Sequence, residues 1–198
     1  SNMKRTKSIL LLILSICILL NTTVFASSTA VFDLLSLNII ADENNLEDYI
    51  TRAEFAAIIV KTLGLDDMAK RYGISPGFED VPSDYWAKDY IALLSNLQIL
   101  NGRTKQAFAP DEYLTLNEAC KVLVSILGYS PLAEERGGYP DGYLTQAHIL
   151  GITKGLSSNR DALSKNDVIL MVYNSLDVNM LVKKTTAYGE HFEIEEGK

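Results

Sequence analysis

The sequence predicts an all-α chain of three helix-loop-helix repeats. An apolar stripe at helical spacing, its recurrence twice more in one register, and a polar cap before each occurrence carry that expectation. The first stripe is Phe55, Ile58, Ile59 and Leu63, and it follows Thr51-Arg52-Ala53-Glu54. Shifted by 64 residues, Thr115-Leu116-Asn117-Glu118 leads into Ala119, Val122, Leu123 and Leu127; a further shift of 49 gives Ser164-Lys165-Asn166-Asp167, then Val168, Met171, Val172 and Leu176. Thr followed three residues later by Glu is a capping box, in which the hydroxyl accepts an N–H of the first turn and the carboxylate returns to the Thr N–H. A helix starts at each.

A second amphipathic segment precedes each of these helices. Residues 90–99 match 143–152 at a shift of 53, and more loosely 30–39 at a shift of minus 60. The turns that follow are Asn38-Ile39-Ile40-Ala41-Asp42, Gln98-Ile99-Leu100-Asn101-Gly102 and Gly151-Ile152-Thr153-Lys154-Gly155. Glycine there suits a helix end that needs a left-handed residue. The predicted unit is helix, turn, extended loop, helix, with repeats at about 27–65, 78–129 and 139–178 inside a module of 27–180. Phe55, Ile59, Leu63, Val122, Leu123, Leu127, Met171, Val172 and Leu176 are its expected shared core, and 181–198 loses the stripe and reads as a polar tail or linker, with room for a further domain downstream.

Composition agrees with a packed core. The chain has 198 residues, 47% hydrophobic and 22% charged, which excludes intrinsic disorder. Its start is different. Lys4, Arg5 and Lys7 precede an apolar run from Ile9 to Leu20, and Val24-Phe25-Ala26 supplies small residues at the positions a secretory cleavage needs. Residues 3–26 are therefore read as a signal peptide, since the 12-residue run falls short of the about 20 that span a bilayer. Ser1-Asn2, ahead of Met3, reads as a cloning remnant. Beyond residue 26 the chain holds 15 basic and 25 acidic residues, a net charge of -10, so nucleic acid is not an expected partner. Neither is a membrane once the signal is removed.

Cys120 is the only cysteine after the signal, so no internal disulfide is expected, and on a helix it reads as a small buried apolar residue. The two histidines, His148 and His191, lie in a helix and in the polar tail. No nucleophile elbow, phosphate loop or metal-ligand spacing is present in the sequence, so no catalytic residue, metal or cofactor is expected, and the chain is not expected to be an enzyme.

Arg52 is the residue that local rules disfavour. A cation at the first helical position sits beside the positive end of the helix dipole, at a cost of about 0.3–1 kcal/mol. Either an ion pair with a neighbouring acid or a bound anion would compensate, and the unpaired N–H groups of a helix start favour an anion. The Arg fork can grip a carboxylate with two bonds, whereas Lys165 at the matching place acts as a point charge. Trp86, the only tryptophan, is a packing residue or an aromatic plate for the apolar face of a sugar. Asp80 reads first as a turn residue that satisfies nearby N–H groups.

The middle repeat adds Phe78-Glu79-Asp80-Val81-Pro82, then Trp86-Ala87, and Phe108-Ala109-Pro110-Asp111 in its loop. With Thr51-Arg52-Ala53-Glu54, these residues resemble the S-layer homology family, over about residues 30 to 180. The resemblance implies a pseudo-threefold bundle of three helical prongs that tethers an exported bacterial protein to the wall or S-layer. It also implies a partner, a secondary cell-wall polysaccharide with acidic, often pyruvylated, sugars that face the motif Arg. On that basis Arg52, Glu54, Asp80, Trp86, Gly102, Tyr139, Gly151, Gly155 and Lys165 are the candidate ligand-binding residues. The repeats differ among themselves. The first has no Phe-x-Asp-Val-Pro run, Leu116 takes the Arg place in the second, and Tyr139-Pro140 falls where Trp86-Ala87 lies.

Two pockets are expected, Arg52 with the Asp80/Trp86 element and Lys165 with the Gly151 and Gly155 turn. Arg52→Ala is expected to weaken polysaccharide binding more than tenfold, or about 1.4 kcal/mol, with the melting temperature nearly unchanged. A protein-interaction or assembly scaffold with degenerate glycan sites is the alternative function.

Overall fold

The computed structural model describes residues 28–41, 43–73, 75–157, 161–187 and 189–195. Asp42, Ser1-Asn2 and the signal segment lie outside them. Helix α1 covers 28–36, and the remaining helices are α2 (Arg52–Thr62), α3 (Asp66–Tyr72), α4 (Lys88–Asn96), α5 (Leu116–Ile126), α6 (Ser130–Glu135), α7 (Asp141–Ile149) and α8 (Lys165–Leu176). Strands β1 (Met180–Thr186) and β2 (Gly189–Glu195) form an antiparallel hairpin. The molecule is mostly helical.

The caps form as the residues dictate. Thr51 and Thr115 each complete a capping box with Glu54 and Glu118, and Ser164 Oγ accepts Asp167 N at 3.1 Å. The ends of α1, α4 and α7 also match. Asn38, Gln98 and Gly151 all take positive φ there, and the next residue's N–H returns to a carbonyl five residues back, Ile39 to Leu34, Ile99 to Leu94 and Ile152 to Ala147.

What joins the repeats is a ring of backbone hydrogen bonds. Ile50 N donates to Leu163 O at 2.9 Å, Leu163 N to Leu114 O at 3.0 Å, and Leu114 N to Ile50 O at 3.0 Å. Each of these buried residues directly precedes a cap, so the three second helices start from one point. Around it the helices pair across repeats. α2 packs on α4 and α5 on α7, while Tyr173 of α8 has its pKa raised by burial and by the neighbouring Asp33 of α1. One apolar core runs through all three.

The expected core holds for Phe55, Ile59, Val122, Leu123, Leu127, Met171 and Val172, all buried. Leu63 is half-buried, and Leu176 is 48% exposed, because α8 ends there and its last turn has left the ring. Short helices α3 and α6 occupy stretches that the repeat unit left without helix. The all-α expectation also needs correction, since the tail folds back as a hairpin. Leu181 N donates to Leu127 O at 2.9 Å, and Tyr129 Oη donates to Asn179 O at 2.9 Å, which fastens β1 to the end of α5. Among the described residues no helix is long and apolar enough to cross a membrane.

Candidate functional site

Two clefts lie beside the ring, and each draws on all three repeats. The first, about 220 Å³, has the Ile39-Ile40-Ala41 turn of the first repeat, Trp86 of the second, and Lys165 and Ile169 of the third. Glu54, Ile58 and Lys61 of α2 complete it. Lys165 is 29% exposed, with Nζ 3.2 Å from Glu54 Oε1, and Trp86 stands 58% exposed at its edge. Glu54 thus has two duties: Oε2 accepts the Thr51 N–H at 2.8 Å, and Oε1 meets the lysine.

The second cleft, about 260 Å³, is assembled from the corresponding parts. Asn101 and Gly102 come from the turn of the second repeat, Arg52 from the first, and Tyr139 from the third, with Arg103, Glu118 and Lys121 alongside. Three cations and one carboxylate line it. Tyr139 is 51% exposed. An alanine Cβ at Gly102 would fall 2.6 Å from both the Phe78 ring and Thr104 O, and only glycine fits this turn.

Arg52 is 2% exposed and held from several sides. Nε donates to Phe108 O at 3.1 Å, Nη2 to Asn101 O at 2.8 Å, and Nη1 to Glu118 Oε1, while the guanidinium stacks 4.6 Å from the Phe108 ring centroid. Burial pulls its pKa below the ordinary arginine value, and Glu118 opposes that shift. The ion pair anticipated as one alternative is therefore present, with the cleft beside it. Local reasoning about the helix start needs correction too. Arg52 N and Ala53 N donate to Glu112 O and Pro110 O, and Lys165 N and Asn166 N to Asp48 O and Leu46 O, so these N–H groups are spent on neighbouring loops and offer no anion site. Nor would Arg52→Ala leave the melting temperature unchanged, since it strands three acceptors around a buried hole.

The expected groupings are also exchanged. Trp86 meets Lys165 and Glu54 instead of Arg52. Lys165 meets the first turn instead of Gly151 and Gly155. Gly151 has positive φ with open space around it, and Gly155 lines a separate cleft of about 680 Å³ with Glu43, Glu47 and Leu170. Asp80 is committed to the backbone: Oδ1 accepts Phe108 N at 2.8 Å and Oδ2 accepts Ala109 N at 2.7 Å, which fixes the carbonyl that holds Arg52. Adjacency in sequence placed Asp80 and Trp86 together. In the structure Trp86 lines the first cleft, while Asp80 holds the loop whose carbonyl accepts from Arg52.

Arg103, Glu118 and Lys121 were missed as cleft residues, although Arg103 directly follows the Gly102 turn and Lys121 stands three residues after Glu118 on the same helical face. Cys120 is fully buried, and burial pushes its thiol up to about 12, which suits a small packing residue. His148 and His191 are exposed, near Thr153 and Glu193.

Comparison with known proteins meets this geometry at the second repeat, where residues 77–120 match the S-layer homology domain. Over 139 residues the chain is 30% identical to the Middle cell wall protein of Brevibacillus brevis, covering 70% of this chain and 13% of that protein. It is 31% identical to the Surface layer protein of Brevibacillus choshinensis, over 67% of this chain and 12% of that one. It is 32% identical to the Cellulosome-anchoring protein of Acetivibrio thermocellus, over 41% and 18%. The chain thus spans a small part of the length of these relatives. With the repeated caps, the shared turns and the matched domain together, the chain belongs to the S-layer homology family.

Proposed function

We propose that this chain anchors an exported protein non-covalently at the bacterial wall or S-layer, by holding an acidic secondary cell-wall polysaccharide, such as a pyruvylated one, in clefts between repeats. The observation that carries this reading is the shared construction of the two clefts, each with a turn, a cation and a half-exposed aromatic taken from three different repeats. An aromatic plate covers the apolar face of a sugar, and a solvent-accessible cation of the cleft meets its acidic group. The name of the cellulosome-anchoring relative supports the tethering role. Arrangement as a pseudo-threefold, three-prong bundle, with repeats at about 27–65, 78–129 and 139–178, is the finer form of the proposal. The hydrogen-bonded ring and the pairing of helices across repeats support it. Residues 3–26 are removed on export in this scheme.

Sedimentation with purified walls tests the reading. Binding is expected to walls that retain their polysaccharide and to be lost after acid extraction of it. Binding that survives extraction would point to a protein or peptidoglycan partner, which is the assembly-scaffold alternative.

A further inference from the structure

In the second cleft the motif arginine is already neutralised. Arg52 is buried and gives Nη1 to Glu118, and Arg103 splits between Glu118, 3.1 Å from Nη1, and Glu112, which accepts from Nε at 2.9 Å. Glu118 is itself fixed, because Oε2 accepts Thr115 N and Thr115 Oγ1 at 3.0 Å each. Two guanidinium groups therefore face two carboxylates. Lys121 is the cation left over. It is exposed, lies within ion-pair distance of no carboxylate among the described residues, and holds Nζ 5.3 Å from the centroid of the Tyr139 ring at the mouth of the cleft.

Resting on the acidic-glycan reading of this cleft, the geometry points to Lys121 and Tyr139 as the pair that recognises the acidic sugar, with Arg52 serving as a buried clamp that positions Glu118 and the Asn101 carbonyl. An ammonium beside a half-exposed ring suits a ligand with a carboxylate next to an apolar face, since the cation reaches the charge while the ring covers the C–H surface. Arg52 cannot offer its two-pronged grip without releasing Glu118 or Asn101 O, and either exchange breaks a part-buried, charge-assisted hydrogen bond.

The test is titration of the whole chain with isolated Gram-positive wall polysaccharide, native and carboxyl-reduced, at two salt concentrations. Lys121→Gln is expected to cost at least about tenfold in affinity for native polysaccharide and to flatten the salt dependence, with a melting temperature within about 1 °C of the unaltered chain. Lys121→Arg is expected to retain most of the affinity. If the unaltered chain prefers native to reduced polysaccharide but Lys121→Gln binds within about twofold of it, the assignment to Lys121 is overturned and the acidic-glycan reading stands. If the unaltered chain ignores native polysaccharide, or binds both forms equally, that reading falls and takes the assignment with it.

Discussion

The two clefts have equivalent parts and opposite commitments. In the second, the cation at the first helical position is an arginine swallowed by the fold, with its fork divided among Phe108 O, Asn101 O and Glu118. In the first, the same position is Lys165, partly exposed and held by one carboxylate oxygen. A planar guanidinium spreads five donors over a rigid fork that reaches acceptors on several sides at once, whereas the three donors of an ammonium sit on a single nitrogen at the end of a flexible stem. One motif position can therefore serve as a structural rivet in one repeat and a surface charge in another.

The largest expected contrast is in stability. Arg52→Ala should cost about 3–5 kcal/mol, because it leaves Glu118 facing a hole, and should lower the melting temperature by about 10 °C. Lys165→Ala should cost under about 1 kcal/mol. Calorimetry that found equal losses would break the comparison. A smaller contrast lies in the turns. Gly102→Ala meets a ring edge and two backbone carbonyls, at 2.6–2.7 Å, and should cost about 3 kcal/mol, whereas Gly151→Ala enters open space and bears only its left-handed backbone, about 1 kcal/mol. Denaturant titration of both variants would order them. Smallest is Trp86→Ala, which should leave unfolding unaltered and weaken polysaccharide binding threefold to tenfold, about 0.5–1.5 kcal/mol. A titration showing unchanged affinity would remove the first cleft from the binding surface.

Features that four or five neighbouring residues decide were readable in advance. The Thr51/Glu54 and Thr115/Glu118 boxes are local, and so is the left-handed helix end at Gly151, whereas Asn38 and Gln98 take the same conformation without a glycine to announce it. Which turn meets which cation is not local. It follows from Ile50 bonding to Leu163 and Leu114 to Ile50, contacts between distant stretches of chain that no periodicity encodes. The tail was misread for a different reason. Val182, Thr185 and Thr186 favour a strand, but Lys183, Lys184, Glu190 and Glu193 hide the alternation, because they pair across the hairpin as Lys183 with Glu190 and Lys184 with Glu193 and Glu195. Glu118 was read as a cap and is one, and only the assembled cleft shows that its second oxygen binds arginine.

The ring through Ile50, Leu114 and Leu163 also governs how this chain can be shortened. A solenoid tolerates loss of a terminal unit because each unit leans only on its neighbour. A closed circuit has no terminal unit. Deleting any one third would orphan a buried donor and a buried acceptor and dismantle both clefts, so a minimal folded fragment cut from this chain should need all three thirds.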